Sequence, residues 1–362
     1  MNEWARIRTP ALVVDQATVE HNIDHAIARM GSPGKWRAHV KTARAAWAIS
    51  RLLERGLTRL KASTTAELAA ALATGAPDVL LAFPALGPAR SRAAELAAAH
   101  PRARVSVLVD SIEALDGWTG GPLGAFLDVD PGMGRTGVPV RDHARALDVV
   151  AALTSRGIEL RGLHTYDGHL ADLPVDALGD QVAEGMRELI ALARALESAG
   201  HPVRELVTGS TSTFQAVLTH PLPCGWAERL TLGPGTLVYS DLRTVERLGD
   251  AFPPAARVLA RVVSRPRTDL ITLDAGLTAI GVDAGHPHAA ILGHPELRVG
   301  QPSQEHLIVE AREGAAPAVG ALLWLVPRHV DTTVAQFDHM HVIGRTGDVR
   351  VEQVTARHHE SP

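Results

Sequence analysis

Short apolar runs alternate with longer stretches whose apolar positions recur every three or four residues, and this rhythm holds from about residue 35 to about residue 245. The short runs fall at 36–41, 59–63, 78–83, 104–110, 124–130, 160–166, 204–209 and 229–233, and they have the length and content of buried strands. The stretches between them, such as 43–55, 65–74, 89–99, 141–156 and 178–199, are alanine-rich and read as helices. Eight β–α units in series predict a closed (β/α)8 TIM barrel over residues 17–245. An open doubly wound sheet is the alternative, but no GxGxxG follows a first strand. After about residue 245 the long helical patterns vanish. Strand-like runs at 256–264, 270–275, 307–311, 318–326, 340–344 and 349–355 predict a second, smaller antiparallel β-domain over 246–362. Residues 1–16 join it through a strand at Ala11–Asp15, ahead of a helix over Gln16–Met30.

Composition removes several function classes. The 362 residues carry a net charge of −4 and only 4% aromatics, which suits neither a polyanion partner nor a base-stacking surface. One cysteine, Cys224, excludes an intrachain disulfide framework or a cysteine-rich zinc site. No apolar segment reaches the roughly 18 residues that span a bilayer, and no signal-peptide pattern opens the chain, so a cytoplasmic location without membrane or nucleic-acid partners is expected.

The candidate chemistry lies at the carboxyl ends of the barrel strands. Those ends hold Lys41, Ser63, Asp110, Asp130, Tyr166, Gly209 and Gly233. Lysine is rare: Lys and Arg total 36, yet only Lys35, Lys41 and Lys61 are lysines. A lysine kept against that drift can do what arginine cannot, such as form an imine. In Arg37-Ala38-His39-Val40-Lys41-Thr42, strand alternation puts Arg37, His39 and Lys41 on one inward face. Three such groups together are costly, and an anionic cofactor would offset the cost.

The run Thr9-Pro10-Ala11-Leu12-Val13-Val14-Asp15, followed by Arg37-x-His39-x-Lys41-Thr42, resembles the D-threonine aldolase and D-serine dehydratase family. These are alanine-racemase-type, fold-type III pyridoxal-phosphate enzymes, and the resemblance runs from about residue 9 to residue 340. It implies that Lys41 holds pyridoxal 5'-phosphate, with His39 beside it. Asp128-Val129-Asp130-Pro131-Gly132-Met133-Gly134-Arg135-Thr136-Gly137 resembles the family turn whose arginine, here Arg135, reaches the cofactor ring. Leu163-His164-Thr165-Tyr166-Asp167-Gly168-His169 resembles the sixth-strand segment, where Tyr166 could stack on that ring and His169 could touch substrate or cofactor.

Two small-residue turns, Gly209-Ser210-Thr211-Ser212-Thr213 and Gly233-Pro234-Gly235-Thr236, stand after strands seven and eight, where barrels bind phosphate. Gly233 stands where alanine racemases carry an arginine for the pyridine nitrogen, with Thr231 two residues earlier, and no strong acid or base is evident for that nitrogen.

The last constellation is Pro327-Arg328-His329-Val330-Asp331-Thr332-Thr333-Val334. On an extended chain His329 and Asp331 point the same way and can share one ion. Alone this is an ordinary surface pair; in the resembling family it is the metal site. Aspartate rather than cysteine at Asp331 implies a hard divalent ion, manganese or magnesium, with zinc a further candidate. Gln304-Glu305-His306 resembles another segment near that site, with Gln304 where aldolases often carry an acid.

The expected activity is a lyase that cleaves a small D-3-hydroxy amino acid to glycine and an aldehyde, with Lys41, His329 and Asp331 as catalytic residues. The alternative is a D-serine or 3-hydroxy-D-aspartate dehydratase. A racemase and a non-catalytic pyridoxal-phosphate carrier rank below both. A homodimer with the site near its interface is expected.

Overall fold

The computed structural model describes residues 3–312, 316–357 and 359–360. Eight parallel strands form the barrel wall in chain order: Arg37–His39, Arg59–Ala62, Asp78–Pro84, Arg104–Val109, Leu123–Asp130, Leu160–Thr165, Leu206–Thr208 and Leu230–Leu232. A parallel bridge between Trp36 and Leu232 joins the last strand to the first. The expected barrel is present, with one unforeseen addition: Val138–Pro139 pairs with the fifth strand.

Two of the helices between strands start at side-chain caps that the sequence supplies. Thr64 accepts the Glu67 N–H at 3.1 Å, and Glu67 accepts the Ser63 N–H at 2.6 Å. This reciprocal cap satisfies two orphan donors at the start of Thr65–Ala73 and fixes the turn that leaves the second strand. Asp142 caps His143–Ser155 by accepting the Arg145 N–H at 3.1 Å.

The barrel interior is mixed. Leu80, Leu108, Phe126 and Val207 pack as an apolar cluster, and the Arg37 guanidinium lies over the Phe126 ring at 5.6 Å. Wall positions that alternate with these carry Lys61, Asp128, His164, Glu205 and Thr231, all buried. That polar lining separates this barrel from a packed structural core.

The chain divides into two compact units. The barrel unit is built mainly from Ile27–Lys41 and Ile49–Gly235. The second unit takes the N-terminal segment up to Ala26, the short piece Thr42–Ala48, and the chain from Thr236 onward. Its sheet is mostly antiparallel, as expected; the exception is Ala11–Asp15, which pairs in parallel with His339–Ile343. Two strands escaped the sequence pattern, Ala289–Ile291 and Leu297–Pro302. Both are short and flanked by His, Gly and Pro. Val258, Leu273, Ile291, Val309 and Leu325 belong to the apolar core of this sheet. No helix among the described residues is long and apolar enough to cross a membrane.

Candidate active site

The first barrel strand ends at His39, two residues earlier than its pattern suggested. The ladder makes one more bond, Val40 N–H to Lys61 O at 2.8 Å, and Lys41 then stands in a turn, partly exposed. The Lys41 N–H reaches His39 Nδ1 at 3.3 Å, while His39 Nε2 lies 3.1 Å from Ser63 Oγ. A ring nitrogen that accepts a main-chain N–H is unprotonated, so His39 carries its hydrogen on Nε2 and donates to Ser63.

Arg37 corrects one expectation. Its charge was assigned to an anionic cofactor, but the protein neutralises it internally. The guanidinium donates to Glu205 through Nε and Nη2 at 2.9 and 2.8 Å, to Asp78 at 2.8 Å and to Leu60 O at 3.2 Å. Burial works against this cation, but Glu205 and Asp78 outweigh it and hold the group above its ordinary range. Burial likewise opposes ionisation of Glu205; Arg37 and the Thr231 hydroxyl, at 2.6 Å, prevail and keep its carboxyl below the usual value.

One pleat above this network stands Lys61, in register with His39. Burial, with help from Lys41 and Arg37, pushes its pKa down to about 7, against the pull of Asp167 and Asp128. Its Nζ rests against the eighth-strand turn: a Cβ on Gly233 would come within 2.4 Å of it. Glycine at that position is what gives the lysine its space. Across the barrel, His164 Nδ1 lies 2.8 Å from Asp128, whose other oxygen accepts the Thr136 hydroxyl at 2.8 Å. Burial keeps His164 below its ordinary pKa although Asp128 favours the charged form. His164 Nε2 is buried with no hydrogen-bond partner among the described residues.

The turns at the strand ends draw other candidates together. Arg135 lies over the Tyr166 ring at 4.7 Å, and His169 Nε2 lies close to the Gly132 turn. In the strand-seven turn the Ser210 N–H is taken by Asp167 at 3.1 Å and Thr213 Oγ1 at 2.8 Å. The Gly233 N–H goes to the carbonyls of Thr208 and Gly209. Among the described residues, the N–H groups of Thr211, Ser212 and Gly235 have no acceptor. Gly235 packs against His39, and unclaimed amides beside hydroxyls are the donor set that a phosphorylated aldehyde needs.

The second unit holds the other candidates. His329 and Asp331 do not lie on an extended chain: His329 precedes a one-turn helix, Val330–Val334, and Asp331 is in its first turn. Asp241 accepts the Val330 N–H at 3.1 Å and so starts that helix. His329 Nδ1 meets Asp283 at 2.7 Å, and Thr332 donates to the other Asp283 oxygen at 2.7 Å. This turns His329 Nε2 towards Asp331, 3.9 Å from Oδ2. Ligand distances of roughly 2.0–2.6 Å allow two such atoms to share one ion. A carboxylate behind a histidine ligand is the usual means of fixing its tautomer. Thr42, the residue after Lys41, donates to Asp331 Oδ1 at 2.6 Å, and Thr236 does so at 3.4 Å. No group of three or more His, Cys, Asp or Glu side chains suited to an ion occurs among the described residues, and His329 and Asp331 form a candidate pair of donors. It fits a hard ion that keeps several waters. Gln304, Glu305 and His306 are exposed, and Glu305 accepts from Thr278.

The family profile for the alanine racemase N-terminal domain matches residues 14–239. The chain belongs to this alanine racemase family. A serine dehydratase domain profile matches residues 255–343 of the same family member. It is 29% identical to a D-threonine aldolase of Arthrobacter sp over 98% of this chain and 93% of that one. It is 26% identical to a 3-hydroxy-D-aspartate aldolase of Paracoccus denitrificans, again over 98% and 93%. Among solved structures, the D-threonine aldolase from Filomicrobium marinum superposes with a TM-score of 0.87 at 25% identity, covering 98% of this chain and 96% of that one. The D-threo-3-hydroxyaspartate dehydratase from Delftia sp. HT23 gives 0.86 at 25% identity over both full chains.

Within this alanine racemase family member, sequence reading missed Lys61, the Thr136–Asp128–His164 chain, Asp283 and Thr42. Lys61 had a signal: it is one of three lysines and shares the inward period of strand two. Asp283 had none, because it meets His329 from 46 residues away.

Proposed function

We propose that this chain is a pyridoxal-phosphate- and divalent-metal-dependent lyase that cleaves a D-3-hydroxy amino acid to glycine and an aldehyde. The observation that carries this reading is the His329–Asp331 pair, oriented by Asp283 and braced by the residue after Lys41. A racemase has no use for such a pair, and an all-oxygen-and-nitrogen donor set favours manganese or magnesium. The names of the aldolase relatives point the same way.

In this reading Lys41 holds the cofactor's aldehyde and later takes or returns a proton at Cα. The amides of Thr211, Ser212 and Gly235, with the Ser210 and Thr211 hydroxyls, hold the phosphate. Arg135 and Tyr166 border the ring, His39 keeps the Lys41 main chain in place, and Gly209 and Gly233 keep the backbone clear of the ligand. His329 and Asp331 hold the ion at the substrate's β-hydroxyl. When bound, pyridoxal phosphate delocalises the charge left on Cα and the ion acidifies the hydroxyl. The enzyme acts as a homodimer, which sedimentation at assay concentration will test.

Product analysis across a panel of D-3-hydroxy amino acids tests the reaction. Glycine plus aldehyde, abolished by a chelator, is the expected outcome. Ammonia plus a 2-oxo acid would make the chain a dehydratase instead. Full-rate cleavage by verified metal-free protein would remove the ion from the account.

Asp283 offers a second check. Asp283→Ala should weaken manganese binding by about 10- to 100-fold, the usual cost of losing a partner behind a histidine ligand. Calorimetry measures this directly, and the cofactor's absorption should not change. An unaltered manganese affinity would mean that His329 is not the ligand.

A further inference from the structure

The ring nitrogen lies opposite the carbon that bears the aldehyde, so with the aldehyde end of the cofactor at Lys41 it would be directed away from that lysine, towards the inner face of the barrel. A buried acceptor left without a donor costs about 1–3 kcal/mol. The inner face offers few donors, and most are spent. The Thr231 hydroxyl gives its hydrogen to Glu205 at 2.6 Å. Arg37 is engaged with Glu205, Asp78 and Leu60 O. His39 directs Nε2–H to Ser63. His164 carries its hydrogen on Nδ1 against Asp128, so its buried Nε2 presents a lone pair and can only accept.

Among the described residues of the inner face, Lys61 is the donor that remains. It is 4% exposed, and it reaches from the second strand to rest its Nζ against Gly233 on the far side of the first. We propose that Lys61 is a cofactor-positioning residue whose Nζ donates a hydrogen bond to the ring nitrogen of the pyridoxal phosphate held by Lys41. The inference rests on the assignment of Lys41 made above. Gly233 is its complement, since any side chain there would displace the amine. The charged groups facing Lys61 are Lys41, Asp167, Arg37 and Asp128, and with burial they leave it near half-protonation at neutral pH. Either form of the amine donates. The ring nitrogen is thus hydrogen-bonded without receiving a full positive charge, and the amine lies against Gly233, where the arginine is missing.

The test compares full-length apoprotein, wild type and Lys61→Met, titrated with pyridoxal phosphate and with its 1-deaza analogue, in which C–H replaces the ring nitrogen. Tryptophan fluorescence reports binding. Wild type should prefer pyridoxal phosphate by about tenfold or more, the worth of one such hydrogen bond, and Lys61→Met should bind the two alike. A preference that survives in Lys61→Met overturns the proposal; so does an equal loss for both ligands, which would place Lys61 on the phosphate. If Lys61→Met does not fold, ring-15N cofactor in wild type decides. A resonance displaced towards the hydrogen-bonded position is expected, and one at the position of unbonded pyridine nitrogen refutes the contact. Borohydride reduction of the same complex reads the Lys41 assignment separately. Label on Lys41 without a ring-nitrogen preference sinks this inference alone; label elsewhere sinks both.

Discussion

Lys41→Ala should fold, and should lose turnover by at least about 10⁴-fold, the scale on which removal of a covalent nucleophile falls. Lys41 stands partly exposed in a turn. The main chain around it is held by bonds that alanine keeps: Val40 N–H to Lys61 O, and the residue's own N–H to His39 Nδ1. Thermal melting should therefore move little, as for other exposed substitutions. The same change removes one of the cations that hold down Lys61, so that amine should become more basic. Turnover above a hundredth of wild type would remove Lys41 from its catalytic role.

Glu205→Ala carries the largest expected change in stability. It strips a fully buried guanidinium of its bidentate partner and leaves Arg37 with Asp78 and one carbonyl. It also leaves the buried Thr231 hydroxyl without its acceptor. Breaking one side of a buried pair costs about 3–5 kcal/mol, measurable as a fall in the urea midpoint. Pairing the change with Arg37→Met should recover part of the loss, because the neutral side chain in place of the buried guanidinium needs no counter-charge from Glu205. The pH dependence has a fixed sign. Glu205 is held below its ordinary value of 4.5 in the folded chain, so its contribution is full above that pH and is lost as pH falls through the folded value. In the Glu205→Ala protein that part of the acid sensitivity should be absent.

The barrel was legible because each wall strand is a short apolar run bounded by turn residues, and all eight runs became strands. The ends were less legible. Lys41 was read as a strand residue because Arg37, His39 and Lys41 alternate, but alternation says nothing of where the ladder stops. It stops because Thr42 and Arg44 are bonded elsewhere, Thr42 to Asp331 and Arg44, with φ of 48°, to Ala356. The polar interior was hidden for another reason. Arg37 meets Glu205 across 168 residues and His164 meets Asp128 across 36, and local periodicity carries no pairing information at such separations. The His329–Asp331 spacing suits an extended chain, but a helix starts between the two residues, and Asp241, which starts it, lies 89 residues away.

Borohydride reduction of the protein purified with its cofactor, followed by digestion and peptide mapping, tests the central claim most directly. Imine formation needs a primary amine, and the chain offers only Lys35, Lys41 and Lys61 as lysines. The account predicts one pyridoxyl label, on the peptide that contains Lys41. Label on Lys35 or Lys61, or protein that reduces without taking any label, would contradict it.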